Sequence, residues 1–209
     1  SQVLTTVETR STQLCQDEEE LVLRLARRTV EVPVGEMPVE LRVREIPPLA
    51  GTGSTEPQVG FEGPRVPASE TPVELTPGSS MSTAPLLTTG QSITASILPD
   101  EVQTYRIPAG WGQAVRATLE QPTRIESVPG DLPGSLRLQL IHPSGHLEAG
   151  SRAVPVYGGG EVTDETTAMW PGGSQGADPA GDVVVVVYWH GGTDREREPV
   201  GYTLTAEVA

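Results

Sequence analysis

Val183-Val184-Val185-Val186-Val187 is an unbroken run of β-branched residues. Branching at Cβ crowds a helix and suits a strand. A strand with one wet face alternates apolar and polar residues, and this run does not. It therefore reads as a central strand covered on both faces, and Trp189 continues it. Working outward, Tyr202, Leu204, Ala206 and Val208 repeat with period two near the end of the chain. Leu136, Leu138 and Leu140 share one face of a run ending at Ile141. Ser92 to Leu98 alternates through Ile93, Ala95 and Ile97, Val102 to Ile107 offers Val102, Tyr105 and Ile107, and Ala114 to Leu119 follows a Gly-Trp-Gly turn at 110–112. Gly, Pro and Asp bound each run and no long helical period occurs. Short strands with regular turn signals predict an all-β sandwich or barrel. Val183–Val187 and the run from Val200 read as its closing hairpin.

Three textures divide the chain. Residues 86–209 carry the strand pattern and are read as the β-sandwich domain. Residues 47–85 hold eight prolines with many Gly, Ser and Thr. That is too long for an ordinary loop, so it is a Pro-rich linker or a strap over a sandwich face, anchored by Val59, Phe61, Val66, Val73 and Leu75. Residues 1–46 are read as a small or incomplete β unit. Asp17 and Glu20 resemble a helix capping box, yet Leu21, Leu23 and Leu25 also alternate. Leu23 lies 18 residues before Leu41, as Val186 lies 18 before Leu204, which favours a strand over 20–27.

The 209 residues carry a formal net charge of −14, and all 14 basic residues are arginine. Such acidity opposes binding to phosphate backbones and to anionic membranes. Lys and Asn are absent, and both have A-rich codons, so the composition reads as that of a GC-rich genome. No stretch of about 18 apolar residues is present to span a bilayer. No charged-then-apolar leader opens the chain, so it reads as a mature or excised fragment. Cys15 is the lone cysteine and precedes Asp17, Glu18, Glu19 and Glu20, an acidic setting that disfavours a reactive thiolate.

Gly90-Gln91-Ser92-Ile93-Thr94, continuing through Pro99-Asp100-Glu101-Val102-Gln103-Thr104-Tyr105-Arg106-Ile107-Pro108-Ala109-Gly110, resembles the opening of the bacterial pre-peptidase C-terminal domain. Leu136-Arg137-Leu138-Gln139-Leu140-Ile141-His142-Pro143-Ser144-Gly145 is similar to that family's middle strand and its Pro-x-Gly turn. Val183–Tyr188 and Gly201-Tyr202-Thr203-Leu204 resemble its last two strands. The resemblance covers about residues 86–209 and departs from the family in a long insertion at 150–182. It implies a jelly-roll-like sandwich on a secreted or surface protein, aiding secretion, stability or attachment to polymers such as collagen or chitin, with calcium in some members.

Several residues invite chemical readings. Asp164, Glu165, Asp178 and Asp182, in or beside the insertion, are read as loop carboxylates that could line a calcium site, without the Asp-x-Asp-x-Asp-Gly spacing. Trp111 and Trp170 lie in turns, where an indole stacks on a sugar or packs against a protein, and Tyr157 joins them. Gly172-Gly173-Ser174-Gln175-Gly176 matches a nucleophile elbow literally, but Pro171 and Pro179 deny it the strand and helix an elbow needs. Gly158-Gly159-Gly160 lacks the Lys and helix of a phosphate cradle and reads as a turn. His142 and His146 read as exposed turn residues and His190 stands apart. The expected function is a non-catalytic, extracytoplasmic β-sandwich module of a larger secreted or surface protein, acting in attachment, stability or protein interaction, with a protein or polysaccharide partner; a carbohydrate- or polymer-binding module and a hydrolase domain are its alternatives.

Overall fold

The computed structural model describes Phe61 and residues 66–110, 113–121, 134–143, 152–155, 160–167, 181–190 and 199–209. The expected β unit at 1–46 lies outside them. Among the described residues the elements are all strands: β1 (Val73–Glu74), β2 (Ser92–Ile97), β3 (Val102–Ala109), β4 (Ala114–Gln121), β5 (Ser135–Ile141), β6 (Arg152–Pro155), β7 (Gly160–Thr167), β8 (Gly181–His190) and β9 (Val200–Val208). They form a five-stranded sheet, ordered β1-β2-β9-β4-β7, and a four-stranded sheet, ordered β3-β8-β5-β6. Every pairing is antiparallel except the two-residue parallel contact of β1 with β2. The chain is an all-β antiparallel sandwich.

The inward side chains of the two sheets meet in one core. Ile93, Ile97, Val115, Leu119, Leu204 and Ala206 come from one sheet; Tyr105, Ile107, Leu136, Leu138, Leu140, Val183, Val185, Val187 and Trp189 come from the other. Burial of each such aliphatic side chain contributes about 1.5–3 kcal/mol. The valine run is buried on both faces. Val184 and Val186 point away from this core and pack with Ile141, Met81, Val102 and Tyr188 on the outer side of the four-stranded sheet.

Met81 belongs to a segment that wraps one flank of the sandwich. β1 covers part of the β2 edge. Gly78 then exchanges backbone hydrogen bonds with Thr104 of β3 (3.0 and 2.8 Å). Further on, Arg106 N donates to the Pro85 carbonyl and Leu87 N donates to the Arg106 carbonyl, both at 2.8 Å. The open edge of β3 is thereby covered, which removes a site for edge-to-edge aggregation. The Gly78 turn must be tight: a Cβ there would sit 2.6 Å from the Ala84 backbone nitrogen. Leu87 enters the main core.

Two readings of the sequence are corrected. Val183–Val187 and the run from Val200 do not form a hairpin. β8 lies between β3 and β5, while β9 lies between β2 and β4 in the other sheet. Both edges of each strand are taken, so the two face each other across the core; alternation and spacing cannot distinguish such an arch from a hairpin. The carboxylates of the stretch 150–182 are not all in a loop. The stretch holds β6 and β7, and β7 pairs with β4 from Ala114↔Thr167 to Gln121↔Gly160. Its Asp164 and Glu165 are strand residues, as is Asp182 in β8, and none of the three is a loop carboxylate.

Val185 sits in register between Tyr105 and Leu140. Val185→Asp would bury an unpaired charge there, a cost of roughly 3–5 kcal/mol against a typical total stability of about 5–15 kcal/mol. The variant is expected to lose its cooperative thermal transition in circular dichroism. A cooperatively melting Val185→Asp chain would contradict the double burial of β8.

Candidate functional site

Two clusters of polar side chains are defined by contacts among the described residues. The first lies inside the sandwich near the β2–β3 turn. Asp100 takes a left-handed conformation there (φ 63°). Glu101 closes the turn: its Oε2 accepts from Leu98 N at 2.8 Å and its Oε1 accepts from Gln103 Nε2 at 2.9 Å. Gln103 Nε2 also donates to the Ser96 carbonyl at 2.7 Å. Gln103 Oε1 accepts a short hydrogen bond from the Tyr202 hydroxyl. The Tyr202 proton is thus committed, so Tyr105, whose oxygen lies 2.7 Å away, is the donor in their contact. The chain Tyr105→Tyr202→Gln103→Glu101 joins β3 of one sheet to β9 of the other. Burial pushes the Tyr105 hydroxyl up to about 12, against the opposing pull of its bond to Tyr202. Burial, followed by the neighbouring Tyr105, holds Tyr202 well above the ordinary phenol value.

The second place is the outer face of the five-stranded sheet. Arg116 of β4 and Glu207 of β9 are cross-strand partners, with Nη1 and Oε2 3.7 Å apart and both side chains buried. The Phe61 ring lies over the Arg116 guanidinium, 4.1 Å from Cζ to the ring centre, within cation–π range. Glu207 Oε1 accepts from Val66 N at 3.1 Å. Beside them the Ser92 and Thr205 hydroxyls lie 2.9 Å apart, and Ser92 Oγ accepts from Ser69 N at 2.8 Å. Thr118 and Thr203 complete a buried polar face.

The residues singled out from sequence scatter. Trp111, Tyr157, Trp170, Ser174, Asp178, His146 and Cys15 lie outside the described residues. Asp164 is buried on the core-facing side of β7, opposite Ala117. Glu165 follows it in register with Arg116. Asp182 lies on the outer side of β8, where its Oδ2 meets Arg106 Nη1 at 3.0 Å. The four-stranded sheet therefore stands between Asp164 and Asp182. Among the described residues no group of three or more His, Cys, Asp or Glu is placed to hold a metal ion. His142, expected in an exposed turn, is buried beyond the end of β5. Trp189 is buried in the core. Sequence reading missed Gln103, Arg116 and Glu207. Gln103 shares its face with Tyr105 and Ile107, and that parity was the available signal.

No family model matches the chain. No curated protein matches it either. Among solved structures, one match is the crystal structure of Aeromonas hydrophila PliG, a periplasmic lysozyme inhibitor of g-type lysozyme. It is 13% identical, covers 66% of this chain and 96% of its own, and superposes with a TM-score of 0.33.

Tyr202→Phe removes the donor to Gln103 Oε1 and the acceptor for Tyr105. Each buried group left unpaired costs about 1–3 kcal/mol, so scanning calorimetry should show the melting temperature lowered by several degrees. An unchanged Tm would mean the hydroxyl chain holds nothing.

The raised tyrosine values give a second expectation. A phenol whose folded value exceeds its unfolded one stabilises the fold below the unfolded value, near 10. That contribution is lost as pH rises toward about 12. The Tm should therefore fall over this window, and less steeply in the Tyr105→Phe/Tyr202→Phe chain. Equal slopes for the two proteins would contradict it.

Proposed function

We propose that the chain is a non-catalytic, extracytoplasmic β-sandwich module of a larger secreted or surface protein, acting in attachment, stability or protein interaction. The observation that carries this reading is how the buried polar groups are used. Tyr105, Tyr202 and Gln103 are joined between the sheets, and the half-buried Glu101 of the β2–β3 turn ends their chain of bonds. Arg116 and Glu207 form an ion pair and meet the segment above them through the Phe61 ring and the Val66 amide. Catalytic groups converge on space where a reacting atom can sit; these groups converge on each other. The net charge of −14 disfavours a nucleic-acid partner and leaves protein or polysaccharide as the partner class.

The strand order supports a jelly-roll reading of the sandwich. After β1, successive strands fall into two sets of four, β2-β9-β4-β7 and β3-β8-β5-β6. The resemblance of residues 86–209 to the pre-peptidase C-terminal domain points the same way, toward a stabilising or attaching appendage. No step in this reading needs calcium. Asp182 is already paired with Arg106 and lies across a sheet from Asp164.

The test is co-sedimentation of the full chain with insoluble collagen and chitin, with and without EDTA, alongside ester and glycoside turnover. Binding without turnover is the expected result. Chitin binding lost in Trp111→Ala or Trp170→Ala would move the reading to a polysaccharide module. Ester turnover abolished by Ser174→Ala would replace it with a hydrolase.

A further inference from the structure

The segment from Val66 to Val73 lies on the sandwich the wrong way round for a packing strap, although Leu75 just beyond it packs against the core. It covers a polar face and touches it with backbone. Val66 N donates to Glu207 and Ser69 N donates to Ser92. Its own valines turn outward: Val66 is 47% and Val73 53% exposed. Beneath it, Ser92, Thr205, Arg116 and Glu207 are all less than 8% exposed, on a sheet face that an ordinary sandwich gives to water. Sheet pairing adds only Val73↔Ile93 and Glu74↔Thr94.

These contacts describe a receptor and its ligand. The receptor is the outer face of β2, β9 and β4: a guanidinium, a carboxylate and paired hydroxyls. The ligand is a peptide with an aromatic ring for Arg116, an amide for Glu207 five residues on, and an amide for Ser92 three residues further. Phe61, Val66 and Ser69 supply these in cis. Pro77 follows the segment at the point where the chain turns to Gly78 and the β3 edge, a natural hinge for exchange.

We propose that this face is a peptide-binding site filled in cis by Phe61 and residues 66–75, and that it accepts the same residues from a second copy of the chain. Exchange costs no contact, because the second copy presents the same ring and amides to the same groups. Such exchange of an identical element is a low-cost route to a symmetric dimer.

The probe is a fluorescein-labelled peptide of residues 58–75, titrated into the full chain and read by anisotropy. Sedimentation equilibrium of the same chain is run over a range of concentrations. Phe61→Ala loosens the cis segment and leaves the receptor face whole. It is expected to bind the peptide at least tenfold more tightly than the unaltered chain, and Ser92→Ala added to it should lose at least tenfold. Should Phe61→Ala fail to fold, Ser69→Pro, which removes the amide donor to Ser92, serves in its place. The unaltered chain should dimerise as concentration rises, and excess peptide should return it to monomer. Absence of peptide binding to the loosened chain would overturn the proposal. So would binding indifferent to Ser92→Ala, a chain that stays monomeric throughout, or a dimer that the peptide leaves intact.

Discussion

A strand that is apolar on both faces has to be covered twice, and the rest of this molecule follows from that requirement. The inner face of β8 takes the whole opposing sheet. Its outer face needs a second cover, and a two-layer sandwich does not supply one. Met81 and its segment help to provide it, packing with Ile141, Val102 and Tyr188 around Val184 and Val186. The same segment is threaded along the β3 edge by backbone hydrogen bonds. The Pro-rich stretch thereby shields apolar surface and closes an open ladder at once.

The sheets are also locked by direction. Hydrophobic contact between two flat faces tolerates sliding; a chain of hydrogen bonds between named atoms does not. Tyr105 on β3 and Tyr202 on β9 tie the layers at one register, and Gln103 and Glu101 anchor that tie to the turn that passes the chain from one sheet to the other. Because the Tyr202 proton goes to Gln103, the order of donors is fixed throughout. The polar groups cost little to bury because each finds its partner within the same chain of bonds.

Much of the fold was legible because burial and periodicity coincide. The alternation at Leu136–Leu140 and Tyr202–Val208 and the unbroken Val183–Val187 each mark a strand that the structure contains. β7 was not legible. It lies at a sheet edge and reads Gly-Glu-Val-Thr-Asp-Glu-Thr-Thr, with a carboxylate where the core face predicts an apolar residue. Pairing was not legible either, since period two says which face is buried and nothing of which neighbour lies alongside. The candidate site was hidden for a related reason: Arg116 and Glu207 look like ordinary solvent-facing residues until the segment that covers them is in place.

β9 runs through the middle of its sheet, with β2 on one side and β4 on the other, although it is the last of the described strands along the chain. Ser92 meets Thr205 and Ile97 meets Val200, so β2 has its main ladder with residues about a hundred positions later. During synthesis, β2 and β4 therefore emerge as two exposed edges separated by a missing centre. Assembly of this layer is gated by arrival of β9, which makes the topology slow to form and sensitive to loss of that strand. A chain exported in extended form and folded afterwards, with all its strands present together, would avoid that exposed stage.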